Sequence, residues 1–357
     1  MTDAGEGDGA GAAAAACVTL RPIRFQVSGH TPILHAVEAP ARSYKPYSAA
    51  EHAVYARLAG DPALAPLRAF APACYGVADV PVAAVGVDGA QPMLRFSRKA
   101  PADGAALAAA MTPGPAGRAR FVVLECVGCG LAHPCVADLK LGRALEAHAC
   151  AAAVCPAARR AWKAAKAART TSAALACRVC GMLVWDPVAQ RHLFVDKYSA
   201  FDRVPMGGGD GGGNDDGSGS KDGSSTTNGN SNSGSTDNNE ACFEILREGV
   251  RPLFGDGAGG VRRGVLRACV ERLRALHAVV ACIDTCPFLL WGTSLLIVFD
   301  GDGPAGDAAP AALQVKLLDF GRVVPLDTPE LRALFGQDGV ADGIANLIRV
   351  LEDILNE

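Results

Sequence analysis

Two short stretches of this 357-residue chain set acidic and basic groups at spacings that suit phosphoryl transfer. In Pro134-Cys135-Val136-Ala137-Asp138-Leu139-Lys140-Leu141-Gly142, Asp138 and Lys140 stand two residues apart, so an extended backbone turns both side chains to one side. A carboxylate there can orient an attacking hydroxyl or hold a nucleotide, while an ammonium neutralises charge on the moving group. In Val315-Lys316-Leu317-Leu318-Asp319-Phe320-Gly321, an apolar strand ends in Asp319, as strands that carry the metal-holding carboxylate of kinases do. Taken singly, neither piece is specific, since most Asp-x-Lys pairs are exposed ion pairs. No His-Arg-Asp loop and no G-x-x-x-x-G-K-[ST] segment accompanies them, so neither an ordinary protein kinase nor a P-loop enzyme is supported.

A third feature is a block of positive charge. From Ala147 to Trp185 there is no Asp or Glu, while Arg159, Arg160, Lys163, Lys166, Arg169 and Arg178 supply six cations and His148 stands among them. In a chain of formal net charge -3, that is a local site for a polyanion rather than a surface for coating nucleic acid. Pro156 suits a first helical turn, after which Arg159, Lys163 and Lys166 follow at i, i+4 and i+7, with Arg169 close to the stripe. The plainer reading of the same residues is a solvated face in an Ala-rich helix. The pairs Cys126-x-x-Cys129 and Cys177-x-x-Cys180, with Cys135, raise a zinc site as a competing class. The 47 residues between the pairs exceed ordinary ribbon spacing, and both pairs lie in strand-like apolar sequence where thiols pack as small hydrophobes. All thirteen cysteines are expected to be reduced, because the N-terminus shows no charged-then-apolar secretion pattern.

These groups need elements to hold them, and half of the chain is hydrophobic, enough for two lobes. Residues 1–16 read as a Gly/Ala-rich tail, and residues 207–239, almost wholly Gly, Ser, Asn, Asp and Thr, read as a disordered insertion. A serine cap with Glu51 three residues on opens a helix over Ser48 to Leu58, and Phe121 to Glu125 reads as a strand. Leu175 to Trp185 and Arg191 to Tyr198 form a hairpin about Asp186-Pro187. Beyond the insertion come a helix from Arg262 to Cys282, strands Ser294 to Phe299 and Gln314 to Phe320, and a terminal helix from Gly343. The result is α+β content without βαβ repetition. The longest strongly apolar run, Leu289 to Phe299, is too short to span a bilayer, and cytosolic or nuclear residence is expected.

With these residues in view, Pro134 to Gly142 resembles the P-x-x-x-D-x-K-x-G signature of the inositol polyphosphate kinase family. Further segments are similar to that family in the same order: Gln26-Val27-Ser28-Gly29-His30, Tyr44-Lys45-Pro46, Leu124-Glu125, Ser294-Leu295-Leu296, Leu318-Asp319-Phe320 and Gly343 to Leu347. Thr171-Ser172-Ala173 and Arg178-Val179-Cys180-Gly181-Met182 are most similar to the inositol hexakisphosphate kinase branch. The resemblance implies a two-lobed kinase-like α+β fold, with a nucleotide-binding N-lobe over 17–125 and a C-lobe over 126–357 that holds the inositol phosphate site and the insertion. It implies Lys45 on the ATP phosphates, Glu125 and Val127 at the adenine, Asp319 with Ser294 holding Mg2+, and Asp138 and Lys140 at the transfer site. Asp138 is then a general base or a nucleotide contact. Arg159, Lys163, Lys166, Arg169, Arg178 and Lys197 are the implied phosphate-binding cations of the substrate site. The implied activity is ATP-dependent phosphorylation of inositol hexakisphosphate or pentakisphosphate to a pyrophosphate, by a monomer. The alternatives are a multikinase acting on tris- and tetrakisphosphates and a non-catalytic inositol phosphate-binding scaffold. Three departures bear on the substrate: Gly321-Arg322 where relatives commonly carry Ala-His, Ala176 for a usual glycine, and Ser199-Ala200-Phe201 for a Tyr-Gly-Arg-like stretch.

Overall fold

Period-two alternation along a single strand separates the two cores of the first sheet. In β5 (Arg118–Glu125), Phe121 and Val123 turn to one side, into a cluster with Leu20, Leu34, Tyr44 and Val80. Val122 and Leu124 turn to the other, into the main core with Val54, Tyr55 and Leu58. Those last three belong to α1 (Ala49–Gly60), which buries Glu51, Val54, Tyr55 and Leu58 at the i, i+3, i+4, i+7 spacing of one helix face. The sheet contains β1 (Leu20–Pro22), β2 (Leu34–Ala36), β3 (Arg42–Pro46), β4 (Cys74–Pro81) and β5, in the order β1-β2-β3-β5-β4, with every pair antiparallel. In this computed structural model, residues 19–28, 32–81, 118–143, 156–196, 234–302, 310 and 312–357 are described. The tail over 1–16 and the stretch 207–233 lie outside them.

The second sheet is built around β6 (Pro134–Leu141), in the order β11-β10-β6-β7-β8 and again antiparallel. Its other strands are β7 (Cys177–Asp186), β8 (Arg191–Asp196), β10 (Ser294–Asp300) and β11 (Gln314–Leu318). A separate two-stranded ladder joins β9 (Phe288–Leu289) to β12 (Val324–Pro325). Along β6 the odd residues Cys135, Ala137, Leu139 and Leu141 enter the main core. There they meet α3 (Gly234–Val250), α4 (Arg263–Val280) and α5 (Val340–Asn356) through Leu246, Leu273 and Leu347. Val136, on the opposite face, packs with Leu183, Val298, Phe25 and Val27. Asp138 and Lys140 share the parity of Val136, so the sheet that hides the apolar residues under helices turns this acid and base away from them. The remaining long helix, α2 (Ala157–Ala168), precedes β7.

Segment ends differ from the sequence reading for local reasons. The helix α3 begins at Gly234, inside the stretch read as insertion, because Thr236, Asp237 and Glu240 are residues that favour a helix N-terminus. The first hairpin strand starts at Cys177 rather than Leu175, since Ser172–Leu175 forms a short helix capped by Ala176 at φ 52°. That left-handed backbone is what makes glycine the easier residue at this position, and Ala176 adopts it at a steric cost. Strand β11 stops at Leu318 because Asp319 turns left-handed, φ 67°, into a single 3-10 turn over Phe320–Arg322. Cys126 and Cys129 close a disulfide in the turn after β5, where the sequence points to reduced thiols. The turn's own hydrogen bond, Cys129 N to Cys126 O at 3.2 Å, draws the two side chains together. Among the described residues, no helix is long and apolar enough to cross a membrane.

One close approach ties the N-terminal segment to the second sheet. Val27 is 3 % exposed and its carbonyl oxygen lies against Gly181 of β7, so that a methyl group at Gly181 would overlap it. Gly181→Ala is therefore expected to lower stability by about 1–3 kcal/mol, the usual range for overpacking a close contact. Equilibrium unfolding in denaturant measures this, and an unchanged midpoint would mean that residues 25–28 are not seated on the sheet.

Candidate active site

A cleft of about 630 Å³ opens between the two sheets. Its chemistry is laid out by strand register. Across β6, β10 and β11, Lys140 stands opposite Ser294, and Ser294 opposite Leu318, the residue before Asp319. One row of the sheet thus delivers an ammonium, a hydroxyl and, one residue on, a carboxylate. Lys140 Nζ donates to Ser294 Oγ at 3.0 Å and to Asp319 Oδ2 at 3.1 Å, and Ser294 Oγ donates to the same Oδ2 at 3.3 Å. Gly142 ends the row at φ 89°, where a Cβ would lie 2.7 Å from the Asp338 carbonyl oxygen, which gives the glycine of the nine-residue stretch its reason.

The other oxygen of Asp319 is taken from the first sheet. Lys45 of β3 donates to Asp319 Oδ1 at 2.8 Å and to Glu51 Oε1 of α1 at 2.8 Å. Glu51, only 3 % exposed, also accepts the backbone N–H of Phe320 at 3.3 Å. Burial works against charge on Lys45, but the carboxylates of Asp319 and Glu51 outweigh it and hold the ammonium above the usual lysine range. Burial likewise works against charge on Asp319, and Lys140 with Lys45 overcomes it, holding this carboxyl well below the usual range. The Asp319 side chain keeps 46 % exposure, so the anion faces the cleft rather than being sealed in.

Asp138 has a different environment. It is 7 % exposed, and burial holds its carboxyl above the usual range against the pull of the Lys140 ammonium. Ser28 Oγ donates to Asp138 Oδ2, whereas the buried Oδ1 has no hydrogen-bond partner among the protein groups described. A buried carboxylate oxygen without a partner is costly unless something arrives to bond it.

Of the residues singled out from sequence, the cleft brings together Lys45, Glu125, Val127, Asp138, Lys140, Lys166, Arg178, Ser294 and Asp319. Glu125 lines it with its carboxylate already engaged, accepting from Ala73 N at 3.1 Å and facing Lys316 Nζ at 3.5 Å. Arg178 stands beside Lys140 in the β6–β7 ladder and donates to Ser172 Oγ at 2.6 Å. Arg169 does not line the cleft: α2 ends at Ala168, leaving Arg169 as its exposed C-cap, so the cationic stripe stops short of it. Arg159 and Lys163 lie on α2, but their side chains fall outside the described set, as does all of Lys197.

Ser28, Glu51, Arg143, Trp162 and Arg322 are among the cleft residues to which sequence reasoning gave no role in the site. For Glu51 a signal existed, because an acid that shares the apolar i, i+3, i+4, i+7 stripe of α1 is buried and needs a cation. It was read as half of a capping box. Ser48 does accept from Glu51 N at 3.4 Å, but the carboxylate turns inward to Lys45 instead of back to the cap. Arg143 reaches Asp342 Oδ2 at 3.1 Å and the Ala173 carbonyl at 3.2 Å from the end of the β6 segment.

Chemically, the Asp319 carboxylate and the Ser294 hydroxyl are hard oxygen donors, and the exposed face of Asp319 suits a divalent cation shared with phosphate oxygens. Lys45 and Lys140 flank that carboxylate as fixed positive charges suited to the same phosphates. Removing the Glu51 carboxylate would leave Phe320 N–H buried without an acceptor. Glu51→Ala is expected to lower stability by about 1–3 kcal/mol, with Glu51→Gln recovering part of it. Thermal or denaturant melts measure this, and a Glu51→Ala melt equal to the parent's would show that the bridge contributes nothing to folding.

A family model described as inositol polyphosphate kinase matches residues 121–205 and 226–352, together more than half of the chain. An inositol polyphosphate kinase of Schizosaccharomyces pombe is 25% identical over 220 residues, covering 60% of this chain and 19% of that protein. Human inositol hexakisphosphate kinase 3 is 26% identical over 258 residues, covering 66% of this chain and 52% of that protein. The mouse protein of the same name is 27% identical over 251 residues, covering 66% and 51%. The chain therefore spans about half the length of these mammalian relatives and about a fifth of the yeast one. Among solved structures, inositol phosphate multikinase Ipk2 of S. cerevisiae, in complex with ADP and Mn2+, aligns with a TM-score of 0.49 at 17% identity, covering 88% of this chain and 99% of that one. With its family match running through the β5, β6 and β10 segments that build the cleft, the chain belongs to the inositol polyphosphate kinase family.

Proposed function

We propose that the protein is a kinase that moves the terminal phosphoryl group of ATP onto a highly phosphorylated inositol, hexakisphosphate or pentakisphosphate, giving a pyrophosphate. The observation that carries this reading is the Asp319 carboxylate held between Lys45 and Lys140, in a cleft also lined by Lys166, Arg178 and Arg143. Family membership supports the reaction class, and similarity to inositol hexakisphosphate kinase 3 supports the acceptor. Magnesium, held by Asp319 with Ser294 beside it, would neutralise charge on the nucleotide phosphates. Lys45, fixed by Glu51, binds those phosphates from the first sheet. Lys140 sits beside the carboxylate and stabilises negative charge on the group in transit. Where the acceptor phosphate enters as its monoanion, Asp138 Oδ1 accepts the P–OH hydrogen as that oxygen attacks, whereas a dianionic phosphate attacks with no proton to give up. Lys166, Arg178 and Arg143 meet the acceptor's remaining phosphates as localised cations in a chain of small net charge.

Incubating purified protein with radiolabelled ATP, magnesium and a panel of inositol phosphates tests the reading. Transfer to hexakisphosphate or pentakisphosphate is expected, whereas preference for a trisphosphate would make the protein a multikinase and no transfer would leave a binding scaffold. Asp319→Asn should lower turnover by at least about a hundredfold, because a neutral amide holds magnesium poorly. Turnover near the parent's at ordinary magnesium would remove Asp319 from the metal site. Lys140→Ala should lower kcat by roughly a hundredfold to a thousandfold, the scale for losing one group that stabilises developing charge. A change confined to acceptor KM would make Lys140 a binding residue only.

A further inference from the structure

The largest exposed apolar side chain on the cleft wall is Trp162 of α2, 61 % exposed. Single exposed hydrophobics are ordinary on protein surfaces, so exposure alone assigns nothing. Three observations set this one apart. First, it lines the same cleft as Asp138, Lys140 and Asp319 instead of facing bulk solvent at the back of the helix. Second, Lys166, one helical turn on, sets its ammonium 5.4 Å from the centre of the indole ring, so an apolar plate and a cation form one unit. Third, Arg178 and Cys180 of β7 line the same cleft as that unit, and Arg178 stands opposite Lys140 in the β6–β7 ladder. Ala167, 7 % exposed, anchors the same helix to the body of the protein, which fixes the plate relative to the sheet.

The acceptor class has matching chemistry. A phosphorylated inositol is not uniformly polar: most phosphates radiate around the rim of the ring, one face presents only C–H bonds, and the opposite face carries the axial substituent. An indole face takes the C–H face and rejects the face with a projecting charged group, while an ammonium held over the other side of the indole offers a partner for a rim phosphate. Such a contact contributes modestly to affinity, but it permits only one face of the ring to lie down, and with a rim phosphate held at Lys166 it limits which oxygens can be turned toward Asp138 and Lys140.

We infer that Trp162 is a specificity-determining residue whose indole, with Lys166 over one face, receives the C–H face of the inositol ring on the other and helps to set the position that is phosphorylated. This rests on the reading of a phosphorylated inositol as acceptor. Trp185 and Trp291, the other two tryptophans, are 5 % and 2 % exposed, so Trp162 dominates any ligand-sensitive emission.

Titration of the protein with inositol hexakisphosphate, without nucleotide, should give a saturable change in tryptophan emission that Trp162→Phe abolishes. In steady-state assays Trp162→Ala and Trp162→Leu should raise acceptor KM about tenfold, about 1.4 kcal/mol, and leave the ATP KM within about threefold. Their products, resolved by phosphorus NMR, should spread over more than one ring position. Trp162→Phe, which keeps an aromatic face, should restore the parent's KM and single product. Leucine serves if the alanine variant fails to fold. Parent-like acceptor KM and product in both aliphatic variants would overturn the plate while leaving the kinase reading intact. If the parent phosphorylates no inositol phosphate, the functional reading falls first and the plate with it.

Discussion

A carboxylate in a left-handed turn, held between two ammonium groups from different lobes, is the contact on which the rest of the architecture converges. Lys45 comes from the first sheet, Lys140 from the centre of the second, and Asp319 from the turn that ends β11. Each ammonium reaches the Asp319 carboxylate at about 3 Å, where an ion pair is strong in a partly desolvated cleft and weak in water. Holding those distances requires β6, β10 and β11 to keep register, and requires Glu51 to stop Lys45 from swinging away. The carboxylate and both lysines satisfy one another. A polyphosphate entering the cleft competes for ammonium groups already oriented toward it, so little reorganisation remains for the moment of transfer.

The same economy governs where charge is placed. A formal net charge of -3 gives the chain no broad positive field, yet Lys140, Arg143, Lys166, Arg178 and Arg322 all line a single cleft. Cations gathered behind low-dielectric walls focus attraction on that opening, and anions elsewhere on the surface discourage nonspecific polyanion binding. The two acids of the site divide the work by environment. Asp319 is open to the cleft and held well below the usual carboxylate range by two lysines, while burial pushes the Asp138 carboxyl above it. Two carboxyls pushed in opposite directions within one cleft are suited to different tasks.

Much of this was legible in the residues themselves. Asp138 and Lys140 were found because a strand's period of two is rigid, and Asp319 because an apolar strand ending in an acid is a strong pattern. The helices over 49–60 and 263–280 followed from apolar spacing and a serine cap. What escaped were partnerships that only tertiary structure creates. Glu51 looks like a capping residue until Lys45 is brought against it from another element. Ser28 lies in a segment that resembles the family, but its hydrogen bond to Asp138, 110 residues away, has no local signal. Arg169 stands at the C-cap of α2 and does not line the cleft, a placement that periodicity alone does not resolve. The low-complexity look of Gly234 to Asn239 hid a helix start, because cap-favouring residues and linker residues are the same small polar types.

The seating of Phe25 and Val27 on the second sheet has a mechanical consequence. Chain continuity joins the two sheets through the turn at Cys126–Cys129, and the apolar cluster with Val136, Leu183 and Val298 holds residues 25–27 against one face of β6. On the other face of β6 the main core takes Leu139 together with Val122 and Leu124 of the first sheet. Attachment on both faces leaves no free hinge between the sheets, so the separation of Lys45 and Lys140 is set by close packing rather than by a swinging joint.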